Sequence, residues 1–534
     1  MADRPNFLLV ITDQQRADYL ACAGHPVLRT PHIDSIAEGG RRFDRFYVAT
    51  PVCMPNRSTL MTGRMPSLHG VRSNGTALNL RANTFVDLMR VHGYRTALLG
   101  KSHLQNMTGM PALLERRDPP EGHLPPPPDF AEAMRRTEAD GPVDVESPHG
   151  WHDDPDWDLF YPFYGFERVD LCTEHGDKVG GHYWQWLKER HADPASLRGP
   201  ANALPHDYTM PQAWRTAVPE ELYPTRYVAE RTVDFLEAHA REGGGAPFFA
   251  MASFPDPHHP FTPPGRYWGM YDPDDMTLDA SFAANAEPPP HVRWARERRE
   301  AGDAVTNSQS LFAVSEREAR EACALTCGMI AMIDDAVGEI LSTLERLDLS
   351  DDTVVIFTAD HGDYLGDHRI MLKGPVHYQS LIRVPFLWKD TAGRAAPAGT
   401  SETLAGTLDI ARTVLDRAAI APYNGIQGRS LMPTIDGAPD DPDADILIED
   451  DQQRTILGFD AAPRVRTLVT QRWRMTLYDR TEWGELYDLE NDPSELVNLW
   501  DDPAAGAAKA ECLERLARRQ MDLVDRSPFP TNRA

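Results

Sequence analysis

Long hydrophobic runs, cysteine and basic charge are the three things this 534-residue chain has little of. Its longest apolar stretches, FLLVI near the start and FFAMASF in the middle, fall far short of the roughly 20 residues that cross a bilayer, so no membrane-spanning helix is expected. The opening MADRPNFLLVI is also too short for a secretory leader and has no small-residue cleavage site after it, which points to a cytoplasmic protein. The six cysteines are Cys22, Cys53, Cys172, Cys323, Cys327 and Cys512, with no C-x-x-C pair among them. They exclude a disulfide framework and a zinc-thiolate cage. A cysteine that matters here matters as a reactive thiol or its product. Lysine and arginine total 54 against 81 aspartates and glutamates, a net charge of −27. Such a surface repels phosphate backbones and anionic lipid, leaving neither nucleic acid nor a membrane as partner.

What is present is a pattern of short apolar runs, at 6–11, 96–99, 247–254 and 353–357, each bounded as a buried parallel strand should be. A long amphipathic stretch over 316–347 carries Ile333, Val337, Ile340, Leu341 and Leu344 at helical spacing. Strands alternating with helices predict an α/β domain built on a large, mostly parallel sheet over residues 1–444. Its region 107–214, with PPPP at 125–128 and little periodicity, reads as an irregular excursion. The aromatics Trp151, Trp157, Tyr161, Phe163 and Tyr164 there are expected to form the segment's own small core rather than to line an aryl pocket. A Pro/Asp/Gly linker near 437–445 then leads to short β-type runs and a final charged helix. Residues 445–534 are thus expected to form a small α+β subdomain with an antiparallel sheet.

The chemistry sits directly after the strand runs. The first is followed by Asp13 and Gln14, the second by Lys101 and His103, the third by His258 and His259, and the fourth by Asp360 and His361. In a parallel sheet the carboxyl ends share one edge, where ligands bind. These residues therefore converge although some 350 positions separate them. Asp13, Gln14, Asp360 and His361 suit one hard divalent cation better than zinc. A loop aspartate can simply cap a turn, but two of them, each beside a second donor, favour a metal. Between the first two runs lies PVCMPNRSTLMTGR, in which Cys53 sits at or near a helix N-terminus, where the dipole stabilises negative charge. Arg57 lies one turn further along the same face. Cys323 and Cys327 share a helix face but read as core packing, and the acidic run 449–451 as a solvated turn or edge.

C-x-P-x-R followed by STLMTGR resembles the signature of the sulfatases, formylglycine-dependent members of the alkaline phosphatase superfamily. PNFLLVITDQQRAD, HGVRSNG, LLGKSH, the P-H-H-P-F segment, TADHGDYLGDH, Lys373 and WGELYDLENDPSELVNL extend the resemblance over nearly the whole chain. It implies an alkaline phosphatase-like fold and oxidation of Cys53 to formylglycine by a formylglycine-generating enzyme. One divalent cation is implied, calcium as the usual ion and manganese as the alternative, on Asp13, Gln14, Asp360, His361 and residue 53. The implied reaction is arylsulfatase-type hydrolysis of a small anionic ester, in which hydrated residue 53 attacks sulfur to give a covalent sulfo-enzyme. Arg57 would steady that nucleophile, Lys101 and Lys373 hold the anionic oxygens, His258 protonate the leaving oxygen and His103 assist the collapse. Asn74 resembles a polar contact to substrate, and the family's use of long excursions in subunit contacts leaves a homo-oligomer open. Two positions depart from the common pattern: Asn56 stands where serine is usual, and Gln14 where many members carry a second aspartate. Gln14 resembles the branch that includes phosphonate monoester hydrolases, which keeps a phosphonate monoester or phosphodiester hydrolase as the alternative. A catalytically silent binding protein with an unmodified thiol is the third reading. The pair Lys101-x-His103 resembles sulfatases rather than the phosphonate enzymes.

Overall fold

The computed structural model describes residues 4–107, 122–123, 143–154, 156–243, 245–284, 287–309, 311–392 and 397–526; the PPPP tract at 125–128 lies outside them. Its centre is a nine-stranded sheet of β1 (Asn6–Thr12), β2 (Arg41–Phe43), β3 (Arg95–Lys101), β4 (Arg168–Thr173), β5 (Gly180–Gly181), β6 (Phe248–Ser253), β7 (Thr353–Ala359), β8 (Phe386–Asp390) and β9 (Gly399–Ser401). The spatial order is β9-β2-β8-β7-β1-β6-β3-β4-β5. The five central strands β7, β1, β6, β3 and β4 are parallel, while β8 and β5 run against their neighbours. The four apolar runs of the sequence are β1, β3, β6 and β7, four of that parallel five. The remaining strands are two to six residues long and include polar stretches such as RRF and GTS, so their identity comes from pairing rather than from composition.

Side chains of β1 alternate between two cores, as the period of a strand requires. Leu8 and Val10 face a layer containing Ile33 and Ile36 of α1 (Pro31–Glu38), Tyr183 and Leu187 of α3 (His182–Arg190), Val228 and Leu236 of α4 (Pro224–Arg241), and Val337 and Ile340 of α5 (Glu316–Arg346). Phe7, Leu9 and Ile11 face Leu60 and Met61 of α2 (Cys53–Thr62) and Ile410 and Val414 of α6 (Thr407–Arg417). α5 opens on a capping box between Ser315 and Glu318, which satisfies two free amides of its first turn. The described part of 107–214 is less irregular than its sequence suggests, since it supplies β4, β5 and α3. Trp151, Phe163 and Tyr164 do not form a private core there: they belong to the same buried cluster as Phe7 and Phe249, because β4 docks them against the main sheet.

A second, antiparallel sheet of β10 (Ile446–Asp451), β11 (Arg464–Val469), β12 (Trp473–Tyr478) and β13 (Gly484–Asp488) packs Leu468, Met475 and Leu486 against Cys512 and Leu516 of α7 (Gly506–Asp522). Its other face carries a buried charge network. The Arg474 guanidinium donates to Glu485 at 3.1 Å and pairs with Glu495, lying 4.5 Å above the Tyr487 ring. Glu495 also accepts from the backbone N–H of Gln379 at 2.8 Å, and His377 bonds Thr467 at 2.8 Å. The small sheet thereby holds the segment just after Lys373.

The six cysteines are all unpaired, and five are buried. Among the described residues no helix is long and apolar enough to cross a membrane. Removing the charge of Arg474 would strand two buried carboxylates, so Arg474→Met is expected to cost about 3–5 kcal/mol. A urea midpoint shift measures this loss.

Candidate active site

All five parallel strands end on one edge, and their first loop residues meet there. Gly100, one residue before the end of β3, has φ +117°, and a Cβ on it would lie 1.9 Å from the Ser253 carbonyl. Only glycine lets β3 and β6 approach this closely and bring Lys101 beside Asp13.

Asp13 and Asp360, after β1 and β7, are both buried, and Arg57 lies between them. Its Nε is 2.7 Å from Asp360, its Nη2 3.4 Å from Asp13, and its Nη1 donates to the Lys101 carbonyl at 3.1 Å and to Ser253 Oγ at 2.9 Å. Lys101 Nζ pairs with the same Asp13 oxygen. Burial alone would raise the Asp13 carboxyl, but Lys101 and Arg57 overcome it and hold the group well below the usual carboxylate range.

Cys53 is the first residue of α2 and is buried. Its Sγ lies 2.8 Å from Lys373 Nζ, 3.0 Å from His361 Nε2 and 3.8 Å from Asp13 Oδ1. Burial and Asp13 push this thiol up, yet Lys373, His361 and Lys101 outweigh them and keep it below its ordinary value. Lys373 Nζ also reaches His258 Nε2 at 2.9 Å and His361 Nε2 at 3.1 Å. His258 and His259 separate in role: His258 turns Nε2 towards Lys373, whereas Nδ1 of His259 meets the Gln14 amide at 3.0 Å. Burial and then Lys373 hold His258 well below the ordinary imidazole range, and burial with Lys101 does the same to His103.

Donor atoms of Asp13, Cys53, Asp360 and His361 lie within 4.8 Å of one another. Gln14 adjoins this group: its backbone N–H donates to Asp360 Oδ1 at 3.1 Å, and its buried Oε1 has no partner. Two carboxylates, an amide oxygen without a partner and an imidazole fit a hard divalent cation. Asn74 Oδ1 accepts from the backbone N–H of Met54, the residue after Cys53, at 3.1 Å, so it caps the first turn of α2 beside the site. Asn56 has a packing role, with Nδ2 2.5 Å from the Asp360 carbonyl and Oδ1 accepting from Thr407 at 2.7 Å and Ala49 at 3.2 Å. The run 449–451 lies on the edge strand β10 but is not solvated: Glu449 and Asp450 are buried, Glu449 accepting from Ser67 and Asp450 facing His377.

Two residues that sequence reasoning missed complete the edge. His175, just after β4, sits 2.6 Å from Lys101 Nζ and stacks on His258 with ring centroids 3.5 Å apart. Recognising β4 as a fifth parallel strand is the signal that finds it. Glu146 is buried and accepts from the backbone N–H groups of His103, Leu104 and Gln105 at 2.8, 3.0 and 3.0 Å, fixing the loop that carries His103. No local pattern marks it.

The family model described as Sulfatase matches residues 5–115 and 175–420, and one described as N-sulphoglucosamine sulphohydrolase, C-terminal, matches 366–522. The chain is 26% identical to an arylsulfatase of Clostridium perfringens, over 93% of this chain and 90% of that one. It is 27% identical to the multifunctional alkaline phosphatase superfamily protein PehA of Trinickia caryophylli, over 98% and 96%. Among solved structures it resembles the phosphonate monoester hydrolase of Agrobacterium radiobacter with a TM-score of 0.74 and 25% identity, covering 98% and 97% of the two chains.

Glu146→Ala would leave three loop amides unsatisfied, each costing about 1–3 kcal/mol where it stays buried. The variant is expected to unfold at lower urea and to lose turnover more than it loses substrate affinity, which steady-state kinetics reads directly.

Proposed function

The chain belongs to the sulfatase family, hydrolases acting on sulfate esters, and from that premise we propose that it cleaves aryl-type sulfate monoesters with a formylglycine made from Cys53. The observation that carries this reading is the position of Cys53 Sγ in the first turn of α2, within 3.0 Å of both Lys373 and His361. As a hydrate, formylglycine at that position would supply one hydroxyl to attack sulfur, displacing the alcohol, and a second whose deprotonation would expel sulfate and regenerate the aldehyde. Asp13, Gln14, Asp360 and His361 would hold a divalent cation, calcium or manganese, which would supply Lewis acidity and positive charge to the reacting oxygens.

The chain's own groups do the rest. Asp13 and Asp360 offset two of the three buried cations Arg57, Lys101 and Lys373, and the remaining positive charge together with that of the cation would attract a small anionic ester although the whole molecule carries −27. His258 presents Nε2 to Lys373 and protonates the leaving oxygen. Burial and then Lys373 disfavour the imidazolium, and the negative charge of a bound ester would oppose both. His103 Nδ1 is buried without a partner, and its depressed basicity keeps the ring neutral, as a base for the second hydroxyl must be. Maturation requires a formylglycine-generating enzyme acting on the chain before α2 is buried.

Gln14 and the likeness to the Agrobacterium radiobacter phosphonate monoester hydrolase favour a second reading, hydrolysis of phosphonate monoesters or phosphodiesters at the same site. Lys101 and His103 favour the sulfate ester.

Mass spectrometry of the tryptic peptide 46–57 from protein made in its native host is expected to give the aldehyde mass at position 53. A thiol throughout the sample would rule out this mechanism. For the matured enzyme, kcat/KM for an aryl sulfate is expected to exceed that for the matching aryl phosphonate, and the reverse order would establish the second reading.

A further inference from the structure

Gln14 is strained and over-determined in a way the reaction alone does not explain. Its φ is +63°, in the left-handed region that a glutamine rarely enters. Its N–H is tied to Asp360 Oδ1, and its amide nitrogen is 2.5 Å from Asp363 Oδ2 and 3.0 Å from His259 Nδ1. Both amide hydrogens are therefore used, and Oε1, 1% exposed at the residue level, is left with no partner. A carboxylate can only accept, so the amide nitrogen must face Asp363 and the oxygen must face away. Asp363 itself cannot turn, because its Oδ1 accepts from the N–H groups of Leu365 and Leu372, both at 2.9 Å. An unpaired buried amide oxygen costs stability unless something takes it up.

We propose that Asp363, with His259 as second acceptor, is a positioning residue that locks the Gln14 amide with Oε1 free as a neutral oxygen ligand, and so sets the affinity of the cation site without touching the cation. The inference rests on the cation reading above but not on the identity of the substrate. The amide adds an oxygen donor without a third carboxylate beside Asp13 and Asp360. The carboxylate that grips Leu372 through its other oxygen also ties the Gln14 lock to the residue before Lys373. Cation site and anion-holding lysine are thereby registered on one side chain.

The test is calorimetric titration of chelator-stripped full-length protein with calcium chloride and, separately, manganese chloride, with the cation-induced rise in thermal midpoint as a second readout. The parent is expected to bind one cation. Asp363→Asn keeps the shape but presents an amide nitrogen, which turns the Gln14 oxygen inward. That variant and Asp363→Ala are expected to bind about 10–100-fold more weakly, the usual range when a group orienting a ligand is removed. Gln14→Glu sets two carboxylates against each other and should also bind weakly, whereas Gln14→Glu with Asp363→Asn restores an acceptor facing a donor and should recover affinity. Equal thermal midpoints in chelator establish that a variant is folded; if Asp363→Ala does not fold, the isosteric Asp363→Asn carries the comparison. Binding by folded Asp363→Asn within error of the parent would overturn the proposal, as would failure of the double variant to improve on Gln14→Glu. A parent that binds neither ion would overturn the cation reading and this inference together. Because no turnover is measured, a wrong substrate assignment leaves every one of these outcomes unchanged.

Discussion

The burial of Asp13 and Asp360 beside one another is the constraint on which the site depends. Two carboxylates removed from water repel each other and lose their hydration, and the fold answers with Arg57 rather than with solvent. The planar guanidinium reaches four elements at once: the ends of β1, β7, β3 and β6. Lysine could not span them, because it offers a single nitrogen. Arg57 lies one turn into α2, so satisfying the carboxylates also fixes where that helix begins. Cys53 at its first position is placed by the same pairing.

A second constraint operates from the other side of the molecule. Lys373 lies beyond β7 on a segment with little regular structure, yet it must meet Cys53, His258 and His361 within about the length of a hydrogen bond. Its precision comes from the residues just downstream. His377 and the Gln379 amide are gripped by Thr467 and Glu495, and Glu495 is fixed by Arg474 of β12. The C-terminal sheet, which contributes no residue to the proposed reaction, thus acts on the site through the position of one lysine. Strongly acidic overall, the chain still brings three buried cations, Arg57, Lys101 and Lys373, to this edge of the sheet.

How far the sequence can be read depends on the kind of signal each residue leaves. Asp13, Lys101, His258 and Asp360 come after apolar runs dense enough to be recognised as buried strands, and a parallel sheet does the rest. His175 plays an equivalent part after β4, but RVDLCT alternates polar with apolar residues and lies in a proline-rich region, so nothing local marks it as a central strand. Glu146 leaves no signal at all and Asp363 only its place within TADHGDYLGDH, each being one acid among 81 whose role depends on which amides it accepts from. The aromatics of 151–164 mislead for a related reason: composition marks them as buried but cannot say against what.

By itself, then, the sequence determined the α/β class, the convergence of its strand-end residues on one edge, and the sulfatase signature around Cys53, because hydrophobic periodicity and residue order are local properties that pairing along a parallel sheet converts into place. The tertiary structure alone decided which of two adjacent histidines faces Lys373, that Asn74 caps a helix and Asn56 braces one, and which way the Gln14 amide turns. Each of those is a choice between orientations of similar local energy. It is settled by a hydrogen-bond partner that lies between 20 and some 350 residues away along the chain, where no local pattern records it.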